Sequence, residues 1–584
     1  MCGRWHMEFL DNLIDACLGA LPLDLLVFGK IVDVYRNNIS EGYIGIKNGL
    51  IVYVGSKPKR ARETIEHPSE YILPAYIDGH IHIESSLMTP STFAKAVIPR
   101  GTCCVIADPH EIANVMGLEG VKFMINDAKR SPLKIYFMIP SCVPSTHLET
   151  SGAEIGLMEI KKLKRFKQIM GLGEVMNYWG VIKKDRSILE KIKTCSGMII
   201  DGHAPGLKGE ELCAYALAGI TSDHEVTSID EAEEKMSLGM WIMIREGSTA
   251  KNLSKLIKII SKGCPERSML VTDDRHSGDI LNEGHLDHCL RRAVEEGLDP
   301  VDAVKMVTLK PAEYFGLRDL GGLSPGKSAD IVIVNNLKEF KASVVLINGK
   351  ITAKNGLYLG ISRPAAPPKK ILRKIVNIGA FKPKDLCIKH PSRMKGKVKV
   401  RVIGLIKDQI ITDEIHCDME LVNGEVKPDL ERDILKICVL ERHEGTGRVG
   451  KGFVMGFNLK EGAFASTVAH DSHNIIAVGT NDEDLYKAII RLGEINGGLV
   501  VASRGKILKD LPLPIAGLMT TEDAFKISEK MESLEEAVSK LGCKVKSPFT
   551  ALSFLSLPVI PKLRITDYGL IDAKKSKIVE LFIP

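Results

Sequence analysis

The segment Tyr76-Ile-Asp-Gly-His-Ile-His-Ile83 places Asp78, His80 and His82 at alternate positions. On a β-strand, residues i, i+2 and i+4 share a face. Two imidazoles on one face can hold one metal ion between them. The rest of the segment is apolar, the pattern of a strand buried on both sides. The alternative is a strand with two polar residues on a solvated face, and the apolar remainder of the run favours the metal reading.

Four more apolar runs finish in residues of the same chemical type. Gly-Leu-Gly-Glu ends in Glu174, Asp-Gly-His-Ala carries His203, Ser-Asp-His-Glu carries His224, and Thr-Asp-Asp-Arg-His carries Asp273. Buried carboxylates and imidazoles are costly at such positions without a cation to pair them. Chance supplies one or two such strand ends, not five in register. Six candidate ligands (His80, His82, Glu174, His203, His224, Asp273) exceed the needs of one four-coordinate ion. A two-metal site bridged by Glu174 fits them better. Two carboxylates with four imidazoles suit manganese, iron or zinc.

These residues need a scaffold that brings many strand ends to one place. Eight apolar runs occur in order: YILPAYIDGHIHI, TCCVIADPHE, KIYFMIPS, QIMGLGEVM, GMIIDGHAP, GITSDHEV, WIMIREG and SMLVTDDRH. Helical patterns such as GLEGVKFMINDAKR, GEELCAYALAG, SIDEAEEKMSLG and NLSKLIKIISK separate them. Eight strand–helix units over about 230 residues predict an α/β fold with a (β/α)8 barrel, whose strand ends all open onto one face. A doubly wound open sheet is the competing architecture, and the ligand types at the strand ends decide for the barrel. Short β-like runs before the barrel, with a turn at Asn48-Gly49, and again at about 321–353, predict one small sheet domain built from both sides of an insertion. The expected organisation is 1–73, an N-terminal helix and the first part of a β-sandwich; 74–318, the barrel; 319–360, the second part of the sandwich; a Pro-rich linker at 361–370; and 371–584, an α+β domain.

Composition narrows the class. The chain has 584 residues, 45% hydrophobic and 26% charged, which excludes a largely disordered, collagenous or coiled-coil chain. A net charge of +6, spread thinly, gives no nucleic-acid footprint. No apolar run reaches the roughly 18 residues of a membrane span. Glu8, Asp11 and Asp15 interrupt the N-terminal apolar stretch, which reads as an amphipathic helix with Phe9, Leu13 and Cys17 on one face, not as a signal peptide. Thirteen cysteines without a CxxC pair suggest buried thiols in a reducing cytoplasm.

The motifs PAYIDGHIHIESSLMTP, ADPHEIANVMG, GLGEVMNYWGV, DGHAPGL, TDDRH and AHDSHNIIAVGTND resemble those of the bacterial and archaeal adenine deaminases, within the amidohydrolase superfamily. The likeness spans essentially the whole chain. It implies the amidohydrolase type of barrel with its small β-sandwich, and the hydrolysis of adenine to hypoxanthine and ammonia in purine salvage. It also implies a cytoplasmic homodimer, with adenine as partner and neither nucleic acid nor membrane. By resemblance, His80, His82, Glu174 and Asp273 would hold one divalent metal, and Glu174, His203 and His224 a second, with Mn2+ or Fe2+ favoured and Zn2+ possible. Many superfamily relatives carry a carbamylated Lys where this chain has Glu174.

The chemistry then asks for hydroxide at C6 of the purine and a proton at N1. Asp273 is expected to carry a proton from the nucleophile to the leaving ammonia, or else only to ligate. Glu84, four residues after His80, is expected to hydrogen-bond the base, or else to cap a helix. Asp274 would contact the purine or orient a ligand. His110 and Glu111 are expected at the end of the second strand, as hydrogen-bonding or active-site groups. His470, Asp471 and His473 would form a polar turn, a supporting group, an extra metal site or a contact over the barrel mouth.

Three weaker motifs are set aside. Gly445, Gly447 and Gly450 match a dinucleotide fingerprint, but a strand-like run follows instead of a helix. Gly322-Leu-Ser-Pro-Gly326 contains a proline unsuited to a nucleophile elbow. His82-Ile-Glu84 lacks the PCxxC partner of the cytidine-type zinc deaminases. The competing readings are a ring-amide hydrolase of the same superfamily, acting on hydantoin-like or dihydropyrimidine substrates, and a scaffold protein that has lost its metal. Glu174 in place of a modifiable Lys opposes the first, and the filled ligand set opposes the second.

Overall fold

A computed structural model describes residues 6–261, 265–360, 366–391, 395–407 and 409–583. Of the Pro-rich stretch 361–370, the first five residues lie outside the described residues. The amphipathic N-terminal pattern forms a helix, Met7–Leu18, which stops at Gly19 with φ 93°. Leu13 is buried, and Phe9 and Cys17 pack with it against Leu23, Leu26 and Val52.

The eight apolar runs are eight parallel strands: Tyr76–Ile81, Thr102–Ala107, Lys134–Ile139, Ile169–Val175, Ile199–Gly202, Ser222–Asp223, Trp241–Arg245 and Ser268–Val271. Every residue of the first two is buried, because helices cover one face and the barrel interior the other. The ring closes at two seams. Thr221 N–H donates to Ile200 O at 3.0 Å, between strands five and six. Asp273 N–H donates to His80 O at 3.0 Å, and His82 N–H to Asp273 O at 3.3 Å, between strands eight and one. The second seam is thus made by candidate ligand residues themselves. Covering helices start where polar side chains take up free amides: Asp185, Ser228 and Asp299 accept from the first turns of Arg186–Thr194, Ile229–Ser237 and Pro300–Met306.

One expectation needs correction. The second strand stops at Ala107, and His110 and Glu111 open the helix His110–Ala128 that follows Pro109. Proline lacks an N–H and has a fixed φ, so it ends a strand and starts a helix readily.

The strands on either side of the barrel join one eight-stranded sheet. Ile331–Val334, after the barrel, runs antiparallel to Ala61–Pro74, before it, with Ile331 opposite Pro74 and Val334 opposite Tyr71. The sheet folds back on itself, so that Ile51 N–H reaches Lys327 O at 2.9 Å. Val27, Ile44, Ile51, Ile72, Ile331, Ile333 and Leu346 fill the space between its layers. Asn48 and Gly49, at φ 51° and 78°, form the tight turn of its hairpin.

The C-terminal region is a ten-stranded mixed sheet with the helices Asp482–Glu494 and Ala524–Lys540, and its apolar core is continuous with that of the barrel. Asp567, buried, accepts from Thr150 N–H at 3.0 Å and Thr150 Oγ1 at 2.6 Å, and Arg448 joins it at 3.1 Å. The loop with Gly445 and Gly447 wraps the carboxylate of Glu441, which accepts from the amides of Glu444 and Thr446 at 2.6 and 2.9 Å. Its amide concavity is filled by the chain's own carboxylate, and a strand, Val449–Met455, follows. Among the described residues no helix is long and apolar enough to cross a membrane.

Beneath the seam of strands one and eight, His285 is fully buried. Its Nδ1 is 2.9 Å from Thr102 Oγ1, and its Nε2 is 3.4 Å from Asp78 Oδ2. Burial, with Arg275 nearby, lowers its pKa to about 3. The unfolded chain, with a histidine pKa of about 6.5, therefore binds one more proton than the folded chain between these values, so stability falls as pH drops below about 6.5. Urea unfolding should show the gap between wild type and His285→Asn shrinking by about 2 kcal/mol from pH 7.5 to 5. An unchanged gap would mean that His285 does not set this acid limb.

Candidate metal centre

Glu174 is the hub of the barrel mouth. Its Oε2 is 2.5 Å from His203 Nδ1 and 3.2 Å from His224 Nε2. Its Oε1 is 3.1 Å from His82 Nε2 and 3.4 Å from His110 Nδ1. On the other side of the two strand-one imidazoles, Asp273 Oδ1 is 3.4 Å from His80 Nε2 and 3.3 Å from His82 Nε2. All six sequence-derived ligand residues therefore converge, with one carboxylate oxygen of Glu174 toward each set. His80 and His224 stack with centroids 4.1 Å apart, so they meet across the barrel axis.

The backbone aims these groups. Asp108, just past the second strand, accepts Glu174 N–H on Oδ2 at 3.0 Å. Its carbonyl oxygen lies 3.0 Å from His82 Nδ1, so that nitrogen carries a proton and Nε2 faces the centre, donating to the carboxylates when protonated and offering a lone pair to a cation when not. Gly173 makes room for this arrangement: a Cβ there would lie 2.0 Å from Asp108 Oδ2. Asp273 sits at φ 58°, which turns its carboxylate back over the barrel. Asp78 points elsewhere, accepting from Thr272 Oγ1 at 2.5 Å and tying strand one to strand eight.

Charge balance identifies residues that sequence reasoning missed. Arg245, at the end of strand seven, lies 3.1 Å from Asp273 Oδ2 and forms a two-pronged pair with Glu225, its Nη2 reaching Oε2 at 2.8 Å. Glu225 Oε1 also comes within 3.7 Å of His224 Nε2 and 3.9 Å of His203 Nδ1. The signal was present as charged residues closing the apolar runs GITSDHEV and WIMIREG. Burial opposes ionisation of Glu174, but His224, His203 and His82 hold it well below the usual carboxylate range. Burial likewise opposes ionisation of Asp273, outweighed by His80, His82 and Arg245.

The donor set fits divalent cations. Among the described residues, His80 Nε2, Glu174 Oε1 and His224 Nδ1 are buried without a hydrogen-bond partner, a costly state for polar atoms in a dry site. Ligand atoms of His80, His82 and Asp273, of His80, Glu174 and His224, and of His203, His224 and Glu225 lie within 4.8 Å of one another in each trio.

Beside this centre opens a cavity of about 250 Å³, lined among others by Glu84, Ser85, Asp274, His276, His470 and Phe554. Glu84 accepts Ile112 N–H on Oε1 at 3.3 Å, and its Oε2 has no partner among the described residues. Burial, and then the negative charge of Glu111, raise its pKa to about 7. Asp274 accepts the Ser85 hydroxyl. Glu111, at the start of its helix, receives His470 Nδ1 at 2.7 Å on Oε1 and His473 Nε2 on Oε2. The segment carrying His470 and His473 thus lies against the barrel mouth.

The Asp108 contact yields a test. Gly173→Ala should push Asp108 aside and tilt Glu174, with a loss of metal affinity of about 10–100-fold, the usual effect of disturbing a ligand's supporting partner. Metal content after dialysis, alongside an unchanged circular dichroism spectrum, checks it. Full metal retention would remove Asp108 from this role.

Comparison with known proteins completes the site's description. Residues 71–352 match the amidohydrolase family model, and residues 409–577 match the adenine deaminase C-terminal domain. An adenine deaminase of Archaeoglobus fulgidus is 45% identical over 577 residues, covering 98% of each chain. One of Desulfatibacillum aliphaticivorans is 43% identical over 575 residues, covering 98% of this chain and 99% of that one. With likeness of this depth running from the small sheet through the barrel to the last strands, the chain belongs to the adenine deaminase family.

Proposed function

We propose that this chain hydrolyses adenine to hypoxanthine and ammonia, returning the free base to purine salvage. The observation that carries the reading is Glu174, set between two groups of imidazoles at the mouth of a barrel whose full-length relatives are adenine deaminases. A ring-amide substrate is not favoured, because the likeness extends through the adenine deaminase C-terminal domain. Two divalent ions per chain suit the ligands, His80, His82, Glu174 and Asp273 for one and Glu174, His203 and His224 for the other; the donors suit manganese, iron or zinc, and the family resemblance favours Mn2+ or Fe2+. When bound, such ions make hydroxide available from water at neutral pH.

The chain's own residues then manage protons. Asp273, kept ionised by the Arg245 guanidinium beside it, takes the proton released by the attacking water and passes it to the amino nitrogen, which leaves as ammonia. Glu84, protonated up to about pH 7, gives its proton to N1 as the C6–O bond forms. The hydroxyl proton remaining on C6 returns to Glu84 as the carbonyl forms, so atoms and charge balance. Asp274 and Ser85 form one wall of the cavity that receives the base.

The first experiment is ammonia release from adenine by protein loaded with Mn(II) or Fe(II), with metal analysis. Wild type should hold about two ions per chain and form hypoxanthine, and His82→Ala should lose both metal and turnover. Glu84→Gln should keep its metal while kcat falls about 10²–10⁴-fold, the range for a missing general acid. Two bound ions with no adenine turnover would overturn the substrate. Full activity in Glu84→Gln would overturn its role at N1.

A further inference from the structure

His470 belongs to the C-terminal domain yet borders the same cavity as Glu84 and Asp274. Its position is fixed on several sides. Nδ1 donates to Glu111 Oε1 at 2.7 Å. The ring stacks on Phe554, with centroids 4.5 Å apart and planes at 14°. Its backbone N–H reaches Ser553 O at 3.1 Å, and its carbonyl accepts the Ser556 hydroxyl at 3.0 Å. The side chain is 10% exposed and lines the cavity. Among the described residues, no carboxylate other than Glu111 lies within ion-pair distance of the ring.

Glu111, His470 and His473 have the composition of a metal site, but the proton positions argue against one. His473 Nδ1 accepts Ala469 N–H at 3.1 Å. Its own proton is therefore on Nε2, pointing at Glu111. A nitrogen that carries a proton toward a carboxylate has no lone pair there for a cation. The trio is a hydrogen-bonded strut, with Glu111 holding His470 in place. Burial disfavours charge on His470, but Glu111, Asp274 and Asp471 outweigh it and raise its pKa to about 9. Both ring nitrogens then carry protons at neutral pH, and Nε2 can only donate.

We infer that His470 is a substrate-positioning residue, whose Nε2–H donates to N3 of the purine. The inference rests on the adenine reading above. With C6 at the ligand cluster and N1 at Glu84, the acceptor directly across the six-membered ring from C6 is N3. A donor fixed by Glu111 and Phe554 on the C-terminal side of the cavity suits that edge.

Substrate analogues test this directly. His470→Ala and His470→Gln, each checked for two bound ions per chain, are compared with wild type on adenine, 3-deazaadenine and 7-deazaadenine. On adenine, His470→Ala should raise KM about 10–100-fold with kcat within about threefold, the pattern of lost uniform binding by a charged donor. His470→Gln, which keeps an N–H donor, should recover part of that loss. The penalty for replacing N3 should shrink at least tenfold in His470→Ala, while the penalty for replacing N7 should not change. An equal 3-deaza penalty in both proteins overturns the inference, and so does coupling to N7 instead. Wild type inert on adenine would sink the function proposed above, whereas active wild type without N3 coupling would sink only the role of His470.

Discussion

The structure depends on how a negative charge is kept at the centre of a dry barrel. Glu174 is buried among four imidazoles, a site that water cannot stabilise. Its orientation is set by one backbone hydrogen bond to Asp108, and that bond exists because Gly173 has no side chain. The neighbouring carboxylate, Asp273, is balanced by Arg245 and completes the strand-eight seam through its own main chain. Ring closure and ligand placement are therefore one problem in this fold, and the same few residues solve both.

The C-terminal domain adds what a bare barrel lacks. A barrel mouth is open, and six ionisable groups at an open mouth would be solvated and mobile. Here the segment after Ala463–Ser466 lies against the mouth and ties Glu111 from above through two histidines. Asp567 anchors a second point by accepting from Thr150. The result is a cavity whose walls combine acidic and imidazole groups with apolar side chains such as Leu87, Leu518 and Phe554, which strengthen electrostatic interactions by lowering the local dielectric.

Much of this was legible in the residues. The eight apolar runs correspond to the eight strands because parallel barrel strands are buried on both faces and so are continuously apolar. The alternation of His80 and His82 could be read as one face of one strand. What was not legible depends on partners distant in sequence. Arg245 and Glu225 meet only once strands six and seven are side by side. Asp108 matters through a hydrogen bond to a residue 66 positions away. For His110 and Glu111 the mark was in the sequence, Asp108-Pro109 directly after the apolar run, where the strand stops and a helix begins. His470 and His473 were visible as an unusual cluster, but only the fold shows that their common partner is Glu111.

The small sheet has a consequence for the chain's modularity. The polypeptide enters the barrel from Ala61–Pro74 and leaves it toward Ile331–Val334, and these two strands are hydrogen-bonded neighbours. Entry and exit are fastened together like the two ends of a necklace at its clasp. The seam where strand eight meets strand one, and where His80, His82 and Asp273 meet, lies between those same two ends. A fragment cut at either edge of the barrel would lose half the clasp, exposing unpaired strand edges and freeing the seam. The catalytic unit is thus not a contiguous stretch of sequence but a loop whose geometry is completed by residues more than 250 positions apart.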